Sequence, residues 1–108
     1  MAYKATHKFA RIGPRKVRPI ADMIRGKFAD DALDLLKCQP QRGARMLEKV
    51  LRSALANAED RRAPNLQSLM VVDARVDEGP KFRRMRPRAR GMAHIIEKRF
   101  SHIHVELD

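Results

Sequence analysis

The residues best equipped for chemistry in this chain are arginines. From Lys81 to Met92 it reads Lys-Phe-Arg-Arg-Met-Arg-Pro-Arg-Ala-Arg-Gly-Met, with six basic side chains and no acid. Five of the six are arginine, whose planar fork matches phosphate oxygens and whose flat face stacks on bases. That is the chemistry of recognition, not of turnover. A second basic group lies near the start. Residues 1–21 hold Lys4, Lys8, Arg11, Arg15, Lys16 and Arg18 and no acid. Blocks of like charge are usually solvated tails. Lys81–Met92 is internal and leads into strand-like sequence, which predicts a loop or hairpin arm instead.

The other reactive side chains point to less. His102 and His104 put two imidazoles on one strand face, but two ligands are too few for a metal and no Cys or carboxylate set accompanies them. They are expected at the surface or facing RNA. Asp30, Asp31 and Asp34 could pose as an acid–base cluster, yet a helix start attracts such charges without catalysis. Cys38 is the sole cysteine, so neither an intrachain disulfide nor a multi-Cys metal site is available. It reads as a small apolar filler. No phosphate-cradling glycine loop and no nucleophile-and-base spacing occurs. The expectation is no enzyme, no catalytic residue, no cofactor and no metal.

Charge over the whole chain agrees. The 108 residues carry 24 Lys and Arg against 13 Asp and Glu, a net +11, with a pI near 10.9. Such self-repulsion in a small body calls for a polyanionic partner, nucleic acid first and an anionic membrane surface a weaker second. The longest run free of charge is Ala63–Val72, ten residues, far below the roughly 20 that a membrane span needs. The N-terminus lacks a signal-peptide core, so a cytoplasmic protein is expected. Length predicts one domain, 1–108.

The elements that must position the basic groups follow from periodicity. Tyr3–Ile12 reads as a strand. Pro14 suits a first helical turn, and Val17, Ile20, Ala21 and Ile24 make one helical face, with Arg15, Lys16, Arg18 and Arg25 mostly off it. Pro19 conflicts with that helix at a cost of about 3 kcal/mol, which predicts a kink or a regular part beginning near Pro19. Gly26 is a helix stop. A second helix runs Ala29–Cys38, with Leu33 and Leu36 inward. A third runs about Arg42–Glu59, with Leu47, Val50, Leu51, Ala54, Leu55 and Ala58 inward and Arg45, Glu48, Lys49 and Arg52 opposite. Leu69–Glu78 alternates as a half-buried strand, Met70, Val72, Ala74 and Val76 on one side and Asp73, Arg75 and Asp77 on the other. Ile103, Val105 and Leu107 share a face of the last strand.

This order predicts an α+β fold, three helices packed on a small three-stranded antiparallel sheet, with a long protruding β-hairpin at about 79–99. Extended, the arm would project roughly 30 Å. Its few apolar side chains cannot hold it to the body, and an isolated two-stranded arm is marginal in water, so a partner must order it.

Two binding surfaces are expected. One is the arm: Lys81, Arg83, Arg84, Arg86, Arg88, Arg90, Lys98 and Arg99, with His102 at its root. The other is the first strand and helix: Arg11, Arg15, Lys16, Arg18, Arg25 and Lys27. Cations here gain affinity by releasing counterions from phosphates, and folded RNA adds shape, 2′-hydroxyls and splayed bases. The runner-up is a DNA-architectural protein wedging a proline-tipped basic β-arm into the minor groove. Those arms work in pairs, so that reading requires a dimer.

Six stretches in order carry a likeness: Pro14-Arg15-Lys16-Val17-Arg18, Ile24-Arg25-Gly26-Lys27, Ser53-Ala54-Leu55-Ala56-Asn57-Ala58-Glu59, Asp77-Glu78-Gly79-Pro80, Arg86-Pro87-Arg88-Ala89-Arg90-Gly91 and Ser101-His102-Ile103. Over nearly its whole length the chain resembles the bacterial large-subunit ribosomal protein L twenty-two family. The resemblance implies a body at the outer face of the large subunit near the exit-tunnel opening. It implies a hairpin running through 23S ribosomal RNA, with its tip, Arg86, Pro87, Arg88, Ala89, Arg90 and Gly91, lining the tunnel. Implied partners are 23S ribosomal RNA, neighbouring large-subunit ribosomal proteins and the nascent peptide, with no membrane. Changes at Met85–Arg90 are implied to alter macrolide sensitivity. Met92 and Ile95 stand where the family often has arginine.

Overall fold

The structure, a computed structural model, describes residues 2–108. The chain runs β1 (Tyr3–Ala10), α1 (Pro14–Ile24), α2 (Ala29–Cys38), α3 (Arg42–Asp60), a 3-10 turn at Leu66–Ser68, β2 (Val71–Pro87), a second such turn at Ala89–Gly91, and β3 (Ala93–Leu107). The three strands form one antiparallel sheet in the order β1-β3-β2. The α+β architecture and the long hairpin expected from the sequence are both present.

Helices cover one face of the sheet. Val17, Ile20, Ala21 and Ile24 of α1 are buried, as their spacing predicted, together with Leu36 of α2 and Leu47, Leu51, Ala54 and Ala58 of α3. They meet Val71, Ala74 and Val76 of β2 and Ile103, Val105 and Leu107 of β3. Among the described residues no helix is long and apolar enough to cross a membrane.

Besides Cys38, which is exposed and not an apolar filler, four local expectations need correction. Helix α1 passes through Pro19 unbroken from Pro14 to Ile24. Pro19 and Arg15 both lie on the solvent side, so water can satisfy the Arg15 carbonyl that a residue-19 N–H would have met. Helix α2 buries Ala29, Ala32 and Leu36, while Leu33 is only half-buried.

Glu48 does not belong to an exposed face of α3. Its side chain is 10 % exposed and is held between Arg45 (2.9 Å) and Arg52 (2.8 Å). Arg45 also donates to the Leu36 (2.8 Å), Lys37 (3.1 Å) and Gln39 carbonyls. It thereby fills the last-turn acceptors that α2 leaves open.

The inward phase of β2 is the fourth. Leu69 and Val71 are buried, whereas Met70 and Val72 are largely exposed. A register shift between Val71 and Asp73 inserts an extra residue against β3. Such a bulge resets the alternation, so Ala74 and Val76 still face inward.

The outer edge of β2 is covered in two ways. Gly26–Ala29 pairs with its start, Gly26 N–H donating to the Val71 carbonyl at 2.8 Å and Ala29 N–H to that of Leu69 at 2.9 Å. Further along, Arg25 donates to the Ala74 carbonyl and Arg18 to that of Val76 at 3.2 Å. An uncovered edge would invite strand addition from other chains.

Candidate nucleic-acid interface

Beyond the body, β2 and β3 continue as a free arm. After a register shift between Glu78 and Lys81 they pair from Lys81 with Arg99 to Pro87 with Ala93. Gly79 sits at this shift, and a Cβ there would lie 3.0 Å from the Phe100 carbonyl oxygen. Only glycine allows the two strands to approach so closely at the root. Every residue from Pro80 to Ile95 is exposed, and the molecule measures 64 × 24 × 16 Å. The arm does not fold back on the helices.

At the tip Arg88 N–H donates to the Met92 carbonyl at 2.6 Å. Arg90 and Gly91 take left-handed φ values of 62° and 71°. Pro87 closes the last strand pair, and the predicted tip Arg86–Gly91 spans the turn.

The arm's cations differ in freedom. Arg99 and Arg83 share Glu97, at 3.4 and 4.0 Å. Arg84 stands 5.7 Å from the Phe82 ring centroid and donates to the Arg83 carbonyl at 3.0 Å. Lys81, Arg86, Arg88, Arg90 and Lys98 have no ion-pair partner among the described residues.

The fold brings part of the second predicted surface to the arm and removes the rest from it. Arg11, Arg15 and Lys16 line one groove with Lys98 and Arg99. The β1-to-α1 turn lies beside the arm's root because Ala10 pairs with Ser101. Arg42, which the sequence reading did not single out, joins them and donates to the Arg11 carbonyl. Arg18 and Arg25 instead spend donors on β2, and Arg25 also pairs with Asp22 at 2.8 Å. They are primarily anchors of α1. Lys27 is exposed on the strap that covers the β2 edge, where its carbonyl accepts from Val71 N–H at 2.9 Å.

The two histidines take protein partners on the open face of the sheet. His104 Nε2 lies 3.0 Å from Asp77 of β2 and its Nδ1 lies 3.0 Å from the Thr6 hydroxyl of β1. It ties all three strands. His102 Nδ1 accepts from Phe9 N–H at 3.1 Å, and its ring meets Phe9 edge to face, centroids 5.1 Å apart. Phe9 has φ 60° at the register shift between His7 and Ala10. Phe82 and Phe100 form a second edge-to-face pair at 5.3 Å. These phenylalanines were not legible as a group, because only the strand register unites positions so far apart in the chain.

A surface that joins unpaired guanidinium groups to exposed rings, with Glu97 the sole carboxylate lining the groove among the described residues, suits phosphate and base. The family described as Ribosomal protein L22p/L17e matches residues 5–108. The large ribosomal subunit protein uL22 of Rhodopirellula baltica is 57 % identical, covering 97 % of this chain and 92 % of that protein. That of Maridesulfovibrio salexigens is 50 % identical, covering 97 % and 96 %. That of Methylacidiphilum infernorum is 49 % identical, covering 100 % and 95 %.

Proposed function

Because the chain belongs to the ribosomal protein L22p/L17e family, and so is a structural, non-enzymatic component of the large ribosomal subunit in the cytoplasm, we propose that it works as a two-part RNA clamp. The body binds 23S ribosomal RNA through the groove of Arg11, Arg15, Lys16, Arg42, Lys98 and Arg99. The arm runs through the same RNA, gripping it with Lys81, Arg83, Arg84 and Arg86. Its tip, Arg86–Gly91, lines the peptide exit tunnel and meets the nascent peptide, while the body abuts neighbouring large-subunit proteins.

One observation carries this reading. Sixteen consecutive exposed residues, Pro80–Ile95, project from the body with six basic side chains and no acid. A hairpin with so little apolar cover gains nothing from standing in water. It gains from phosphates on both sides, which it neutralises while releasing counterions.

Sedimentation of lysate at low and high salt tests the proposal. Co-migration with the 50S particle that survives high salt is expected. Release at moderate salt, with recovery on DNA as a dimer, would replace it with the DNA-architectural reading.

A further inference from the structure

None of the chain's four phenylalanines lies in the core, and three of them stand in a row with His102 at the arm's root. Phe9 contacts His102. His102 and Phe100 are two apart on β3, so they project from the same side of the strand. Phe100 contacts Phe82, and Arg84 stands over the Phe82 ring. Phe9 is 61 % exposed and Phe82 47 %.

Two features make this row a built surface. The left-handed turn at Phe9 is held by the hydrogen bond from its N–H to His102, which fixes where the ring projects. A cleft of about 380 Å³ is lined by Phe82, Phe100, Arg11, Arg84, Lys98 and Arg99, and among the described residues by no carboxylate. Its volume falls in the range of small-ligand sites, roughly 300–1,000 Å³.

We propose that this row is a stacking platform for unpaired nucleotides. A splayed base lies on Phe82, its face extended by the Arg84 guanidinium, and its phosphate meets Arg11, Lys98 or Arg99. A neighbouring base reaches Phe9 and His102. The occupant follows from the lining. A nucleotide joins a flat π face to an anion, and aromatic rings with flanking arginines are how proteins hold single-stranded bases. The proposal rests on the RNA-binding reading and adds which form of RNA this end of the arm selects.

The test uses the full chain and two probes. One is a short single-stranded oligoribonucleotide carrying 2-aminopurine, and the other is the same strand annealed to its complement. Binding of the single strand is expected to change the 2-aminopurine emission. Phe82→Leu is expected to weaken that binding roughly 5- to 100-fold, to leave duplex binding within about twofold, and Phe82→Trp to restore it. Phe9→Leu serves as a second variant, and both positions are exposed, so unchanged thermal melts confirm the fold. If both leucine variants bind the single strand like wild type, the platform is refuted while RNA binding stands. If the wild type binds neither probe, the RNA-binding reading falls, and the platform with it.

Discussion

Replacing Arg11, Arg15 and Lys16 together by glutamine separates the binding charges from the structural ones. None of these three side chains has a partner among the described residues, so the fold should not register their loss. Each phosphate they neutralise adds about 0.7 to 0.9 to the slope of log affinity against log salt. Three contacts therefore steepen the wild-type slope by roughly 2 to 3. Over a fourfold rise in salt, the wild type should lose roughly 20- to 40-fold more affinity than the variant. Filter binding to 23S ribosomal RNA at several potassium chloride concentrations reads this directly. The paired variant Arg18→Gln with Arg25→Gln is the contrast. It should leave the slope nearly unchanged but cost about 1–3 kcal/mol in urea unfolding, because two carbonyls of β2 lose their donors. A triple variant with the wild-type slope, or an Arg18/Arg25 variant that flattens it, would refute the division of labour drawn above.

Three further outcomes are expected. Arg45→Ala should destabilise the protein by about 2 kcal/mol, since it strips charged hydrogen bonds from the end of α2 and leaves nearly buried Glu48 with Arg52 alone; urea midpoints measure it. Ser101→Ala should leave stability unchanged or raise it by about 1 kcal/mol in the same assay, because the buried Ser101 hydroxyl has no hydrogen-bond partner among the described residues and its burial brings only a desolvation cost. Nitrogen-15 relaxation should give order parameters below about 0.6 for Arg84–Ile95 in free protein, rising on addition of 23S ribosomal RNA. A rigid arm without RNA would count against the need for a partner.

Much of the fold could be read from the chain because its signals are local. The spacing of Val17, Ile20, Ala21 and Ile24 is enough to orient α1, and the arginine run between two alternating segments is enough to propose an arm. What escaped depends on contacts made at a distance. The acceptors of Arg18 and Arg25 are backbone carbonyls 58 and 49 positions away, and carbonyls carry no residue signature. Glu48 looks like any surface glutamate until α2 ends beside Arg45. The bulge at Val72 adds a residue without announcing it, since valine is at home on either face. Phe9, His102, Phe100 and Phe82 become one row only once β1, β2 and β3 are in register.

The strand at the centre of the sheet, β3, comes last in sequence among the three described strands. Among the described residues β1 hydrogen-bonds to β3 and to no other strand, so the eight-residue strand waits for residues 101–107 before it has a neighbour. Closure spans nearly the full sequence, a topology that slows folding. During synthesis the helices can gather early, but β1 stays unpaired until residues 101–107 arrive. Loss of a few residues from the C-terminal end would then be felt at the opposite terminus, where Tyr3 pairs with Leu107.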